Sequence, residues 1–137
     1  MYTKSEEAEL ETLLLQKINE LRQENAAPML KHHDFLYEVA HQHALDMATG
    51  KSKFGHYAFS NRHNLIKSNL KNVAKIGENL AFHKYEEEPE EKAFQLWMES
   101  TNHRKNLLYP KFTDSGLAVV QTLDKTYFFA HIMIHSF

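Results

Sequence analysis

The sequence predicts an α+β fold, with helices through most of the chain and antiparallel strands at its end. Three observations carry this. Before Pro110, apolar residues recur at helical spacing in several segments. After Pro110 the chain turns to two runs rich in Val, Ile, Phe and Tyr. The 137 residues hold only 4 glycines and 3 prolines, with no repeat and no low-complexity tract, so 1–137 reads as one domain able to bury a core.

The first helix runs from about Ser5 to Asn25, with Leu10, Leu14, Ile18 and Leu21 inward and Glu6, Glu7, Glu11, Glu20 and Arg22 elsewhere on the wheel. Ala27-Pro28 ends it, because the residue before proline avoids the helical region. A second helix is expected from Asp34, as N-cap, to Thr49, with Leu36, Ala40, Ala44 and Met47 buried and Gly50 after its last turn. Lys51 to Ser60 reads as loop, and a third helix covers Arg62 to Val73. Ile76 to Phe82 reads as a short strand or extended turn. The glutamates of Lys84 to Glu91 are expected in solvent, and Pro89 opens a helix carrying Ala93, Leu96, Trp97 and Ser100. Gly116 to Leu123 and Tyr127 to Ile134 form a hairpin around Asp124-Lys125.

Composition removes several function classes. No apolar run reaches the roughly 18–20 residues that span a bilayer, so no integral membrane association is expected. A formal net charge of −2 offers no electrostatic footprint for a phosphate backbone, and no nucleic-acid partner is expected. The absence of cysteine removes disulfides, thiolate metal sites and a cysteine nucleophile. No secretory leader shows in MYTKSEEAEL, so the protein is either intracellular or begins after a removed leader.

Ten histidines make metal ligation and acid–base chemistry the first questions. Three clusters hold uncommon combinations: Phe54-Gly55-His56-Tyr57, Gly77-Glu78-Asn79-Leu80-Ala81, and Trp97-Met98-Glu99-Ser100 followed by Asn102-His103-Arg104. Two imidazoles and a carboxylate are the parts of a divalent-metal site, but only the fold could gather residues so far apart. Plainer readings stand beside this one. Glu78 could cap a turn, His103 could be a charge at a helix C-terminus, and His56 could lie on an exposed loop. Trp97 reads as a core anchor. His32 and His33 read as solvated, His41 and His43 point to different helix faces, and His131 and His135 line a half-polar sheet face. Ser100, His103 and Asp114 form a triad by residue type only, without the strained turn that exposes a serine nucleophile.

Taken together and in order, these clusters resemble the CAP superfamily of cysteine-rich secretory proteins, insect-venom antigens and plant pathogenesis-related proteins. The resemblance starts at Ile18-Asn-Glu-Leu-Arg22 and continues through Leu36, Ala40, His43-Ala44 and Asp46-Met47-Ala48. It then takes in His56, the Gly77–Ala81 string, Trp97, Ser100, His103-Arg104, Asn106-Leu107-Leu108, Phe112-Thr113 and Gly116. It implies a three-layer α-β-α sandwich with a small antiparallel sheet between helices. It also implies a cleft of two histidines and one or two acids that holds a divalent metal in several members, often zinc. His56 and His103 match the histidines and Glu78 the acid; Asn79, Glu99 and Ser100 fall beside them in the cleft.

This sequence departs from many eukaryotic members where their second acid would fall, three residues after the tryptophan: Ser100 stands there and Glu99 lies one position earlier. In that respect it is similar to the compact bacterial branch. The resemblance therefore implies a weakly bound divalent metal, zinc first, and secretion by family habit. It leaves open a metal-dependent hydrolase or peptidase with Glu78 as general base. It also leaves open a lipid- or sterol-binding or interaction module using Phe54, Tyr57, Phe59, Phe82 and Tyr85, though most of these aromatics read as core. The ligand, whether small molecule, peptide or lipid, is not specified.

Overall fold

The computed structural model describes residues 4–84 and 87–137, so the expectation for Tyr85 lies outside the described residues. The elements run α1 (Lys4–Glu24), β1 (Lys31–His32), α2 (Asp34–Ala48), α3 (Phe59–Asn69), β2 (Val73–Lys84), α4 (Pro89–Glu99), α5 (Thr101–Leu108), β3 (Asp114–Gln121) and β4 (Thr126–Ser136). The sheet order is β1-β3-β4-β2. β4 pairs antiparallel with β2 and with β3, whereas β1 pairs parallel with β3 over Lys31 and His32 alone. The sheet is thus mixed at one edge rather than wholly antiparallel.

Strand alternation builds the layers. On β3 and β4, Leu117, Val119, Tyr127, Phe129 and Met133 join Leu14 and Ile18 of α1, Trp97 of α4 and Leu107 of α5 in one core. Their neighbours Ala118, Val120, Ala130, Ile132 and Ile134 face Leu36, Ala40 and Met47 of α2 and Ile66 of α3 in another. The result is the expected α-β-α sandwich. On the α2 side the contact is close because small residues line the sheet. A Cβ built on Gly116 would sit 2.1 Å from the Tyr37 backbone nitrogen and 2.2 Å from the Leu36 carbonyl carbon, so helix backbone rests directly on the strand.

β1 is so short that most of the outer edge of β3 has no strand beside it. The first helix closes that edge with side chains. Glu11 accepts from the Val119 N–H at 2.9 Å, and Glu7 accepts from the Gln121 N–H at 2.8 Å. These glutamates do for the strand what a neighbouring strand would otherwise do.

Several expectations shift. His33 rather than Asp34 caps α2, its ring accepting from the Leu36 N–H. The third helix begins three residues earlier than expected, after a left-handed Ala58, and ends at Asn69. Ile76 to Phe82 is the middle of a 12-residue strand, and the Pro89 helix stops at Glu99 so that Ser100 can open α5. Glu90, expected in solvent, is buried.

Two larger corrections concern charge. Arg22, off the inward apolar stripe of α1, is nonetheless fully buried. Its guanidinium donates to the carbonyls of Pro28 (2.7 Å), Leu107 (2.8 Å), Tyr109 (3.0 Å) and Phe112 (2.9 Å), tying the exit of α1 to the end of α5. His131 does not line a half-polar face either: it is fully buried and stacks on Trp97 at 6.0 Å between ring centroids. Burial, reinforced by the Arg22 charge, pushes its imidazole down to about 3, so the ring is neutral in the folded protein.

Candidate functional site

β2 is the outer strand opposite β1, and alternation along it sends adjacent residues to opposite faces. Glu78 turns toward α2 and α3, while Asn79 turns toward α5. The Gly77–Ala81 string therefore supplies one polar side chain to each layer. Gly77 is required here by space: a Cβ would meet the Phe112 ring at 2.8 Å.

On the α3 side, Arg62 organises the site. Its Nε donates to Glu78 Oε2 and its Nη2 to Glu78 Oε1, both at 2.7 Å, a bidentate pair between buried groups. Its Nη1 donates to the Tyr57 carbonyl at 2.7 Å and to His43 Nδ1 at 3.2 Å. His43 Nε2 is 2.9 Å from the Gly55 carbonyl. A carbonyl only accepts, so the proton of His43 sits on Nε2 and Nδ1 is the acceptor for Arg62. Burial and then the Arg62 charge lower the basicity of His43, in keeping with a neutral ring.

His56, on the loop before α3, donates from Nδ1 to Glu78 Oε1 at 2.9 Å. The Glu78 side chain is almost wholly enclosed, whereas His56 is 55% exposed. The carboxylate thus fixes the Nδ1 proton of His56, and a neutral ring carries its free lone pair on Nε2. The expectation that Glu78 might cap a turn is not met; its oxygens serve Arg62 and His56.

His103 approaches from the other layer. It is the third residue of α5, so it lies near the N-terminus of a helix rather than at a C-terminus. Asn79 Nδ2 donates to the His103 carbonyl at 3.0 Å, and Asn106 Nδ2 donates to Asn79 Oδ1 at 2.9 Å. This chain fastens α5 to β2. Burial and the nearby charge of His56 lower the basicity of His103. Its Nδ1 is buried and has no hydrogen-bond partner among the described residues.

The fold thus joins His56 to Glu78 and Asn79 to the His103 carbonyl, and brings His103 within electrostatic reach of His56. Ser100 serves as the N-cap of α5, accepting from the His103 N–H, and Asp114, at the start of β3, accepts from the Thr113 hydroxyl just before it; no triad forms from these residues. Glu99 is exposed at the end of α4 and takes no part in the hydrogen-bond chain. Trp97 is the expected core anchor, with its indole N–H donating to the Leu80 carbonyl at 3.0 Å. The aromatics read as core are largely at the surface: Phe54, Tyr57 and Phe82 are exposed, and Phe54 and Phe82 pack together at 4.6 Å. Arg62 and His43 are the site residues that the sequence reading missed. The faint signal for them was a histidine and an arginine on two successive helices ahead of a strand bearing a lone acid.

A sandwich whose outer strand sets a carboxylate under one histidine and an amide under another defines a class of fold and cleft. The family model for the cysteine-rich secretory protein family, CAP, matches residues 15–133, and the chain belongs to that family. Among solved structures, an outer surface protein of Borrelia burgdorferi matches with a TM-score of 0.78 at 20% identity, covering 100% of this chain and 97% of that one. A cysteine-rich secretory protein of Staphylococcus aureus matches at 0.74 and 22% identity, over 98% of this chain and 41% of its own. An extracellular SCP-domain protein of Bacillus anthracis matches at 0.71 and 25% identity, over 99% of this chain and 45% of its own. This chain therefore spans less than half of the latter two. No curated protein matches the sequence.

Proposed function

We propose that the cleft binds a divalent cation, zinc first, through the imidazoles of His56 and His103, with Glu78 orienting His56 rather than ligating the ion. The observation behind this reading is the Glu78–His56 hydrogen bond. A carboxylate on one ring nitrogen directs the other toward a metal and raises its donor strength. Both Glu78 oxygens are engaged by Arg62, and among the described residues no group of three or more His, Cys, Asp or Glu is placed to share an ion. Two imidazoles remain as donors, and His103 brings a buried Nδ1 that has no hydrogen-bond partner among the described residues. Such a site is weak and open, and a bound ion would supply Lewis acidity at the mouth of the cleft.

The same geometry argues against Glu78 as the general base of a hydrolase. A base must reach a substrate proton, and this carboxylate is enclosed with both oxygens committed to a guanidinium. A second reading, binding of an apolar or sterol-like ligand, draws support from the exposed pair of Phe54 and Phe82 beside the cleft. No helix of the described residues is long and apolar enough to cross a membrane. The surface and extracellular descriptions of the bacterial relatives support a role outside the cytoplasm.

Calorimetric titration with zinc tests the first reading. Wild type is expected to bind, His56→Ala and His103→Ala to lose measurable binding, and Glu78→Gln to weaken it by about 10–100-fold. Equal binding by wild type and both alanine variants overturns it. Saturable, chelator-insensitive binding of a labelled sterol would favour the second reading.

A further inference from the structure

We propose that the groove between α1 and the β1–α2 corner, at the sheet edge opposite the cleft, is a separate binding site for a primary ammonium carried on an aliphatic body. The groove encloses about 710 Å³ and is walled by Leu15 of α1, Leu117 of β3 and Met29, whose side chain is 62% exposed at the rim. Glu11 sits within it. Tyr37 Oη is 3.1 Å and 2.9 Å from the two Glu11 oxygens, and the Val119 N–H is 2.9 Å from Oε2. A carboxylate has about four lone-pair sites, so Oε1, which receives only the shared phenol, keeps acceptor capacity toward the groove.

The charge in the groove is one-sided. Glu11 and Glu20 line it and no Lys or Arg does; His32 also lines it and offers Glu11 a positive charge only when protonated. Apolar walls around an acid with no Lys or Arg partner select a ligand with a hydrocarbon body and a cationic head. They reject a fatty acid, whose head would face Glu11 and Glu20. A compact ammonium with three donors suits the single free acceptor position better than a planar guanidinium, which needs two.

Burial, with a smaller contribution from Glu7, raises the Glu11 carboxyl to about 7. Ammonium binding requires the ionised form, so affinity rises with pH through neutrality, while an alkylammonium stays protonated there at a pKa near ~10.4. The groups facing Glu11 are Glu7 on its own helix, His32 of β1 and Tyr37 of α2; β3 presents the Val119 N–H and no charge.

Calorimetry or amide chemical-shift titration with octylamine below its micelle concentration, beside octanol and octanoate, tests this. Octylamine is expected to bind at least tenfold tighter than octanol, with octanoate showing no saturation. Its affinity should rise between pH 6 and pH 8, and His32→Gln should keep that rise. Glu11→Gln should bring octylamine down to the octanol affinity and leave octanol unchanged, and retained octanol binding shows that the groove has folded. Met29→Lys, a rim change outside the core, should also weaken octylamine. No saturable octylamine binding, octanoate binding as tight as octylamine, or equal octylamine affinity in wild type, Glu11→Gln and Met29→Lys would each overturn the proposal. Zinc binding at the cleft is read independently of all these outcomes.

Discussion

Arg22 gives its guanidinium to four carbonyl oxygens, whereas Arg62 gives its to a carboxylate, a carbonyl and an imidazole. Both side chains are buried. The acceptors of Arg22 are dipoles, three of them at and just beyond the end of α5, where helix carbonyls lack partners of their own. Those of Arg62 include a full negative charge. Each arginine also lowers the basicity of a histidine, His131 beside Arg22 and His43 beside Arg62. The contrast separates two uses of a buried cation. Arg22 holds chain segments together, and Arg62 holds in place the carboxylate that orients His56 and the bare Nδ1 of His43.

The largest expected effect tests the first use. Arg22→Met takes their donor from the carbonyls of Pro28, Leu107 and Phe112, at about 1–3 kcal/mol for each that stays buried, while the Tyr109 carbonyl keeps the Phe112 N–H, so the variant should be largely unfolded in urea concentrations that wild type survives. Arg62→Met comes next. It leaves Glu78 buried with His56 as its remaining side-chain partner, at a cost of up to about 3–5 kcal/mol. The double change Arg62→Met with Glu78→Met should recover much of that loss, and a double-mutant cycle in urea measures the recovery. If the double variant is no more stable than Arg62→Met, the pair is not what the guanidinium serves.

A third prediction uses pH. The folded-state value for His131, about 3, lies below its ordinary 6.5, so the unfolded chain binds the extra proton. The stability tied to this ring is complete above pH 6.5 and falls as pH drops from there toward 3. Urea midpoints at pH 7 and pH 5 should differ for wild type, and His131→Phe should narrow that difference while keeping an aromatic ring against Trp97. The smallest effect is expected for Ser100→Ala, which removes the α5 cap at about 1 kcal/mol and leaves both arginines untouched.

The parts legible in the sequence were those set by local rules. Helical spacing placed α1 and α2, Pro89 placed the start of α4, and Asp124-Lys125 placed the final hairpin. β1 has no period to read, because two residues become strand only by lying beside β3. The third helix was shifted because it starts without a capping side chain, after Ala58 at a φ of 57°. In the site, His56, Glu78 and His103 stand out in the sequence as uncommon residue combinations, but it is the resemblance, not their spacing, that joins them into one cleft. Arg62 and Arg22 look in sequence like any helical surface cation. What buries them is Glu78, 16 residues away, and the carbonyl of Leu107, 85 residues away, and no local pattern reports such partners.

The glutamates along β3 have a consequence for behaviour at high concentration. A bare strand edge is a template on which a second chain can zip, and that is how folded proteins begin to form fibrils. Here the outward amides of Val119 and Gln121 are already occupied by side chains of the same molecule. A neighbour would first have to peel α1 from the sheet and break into the core around Leu14 and Ile18. Resistance to aggregation at this edge is therefore tied to the stability of the first helix, and destabilising that helix should expose both together.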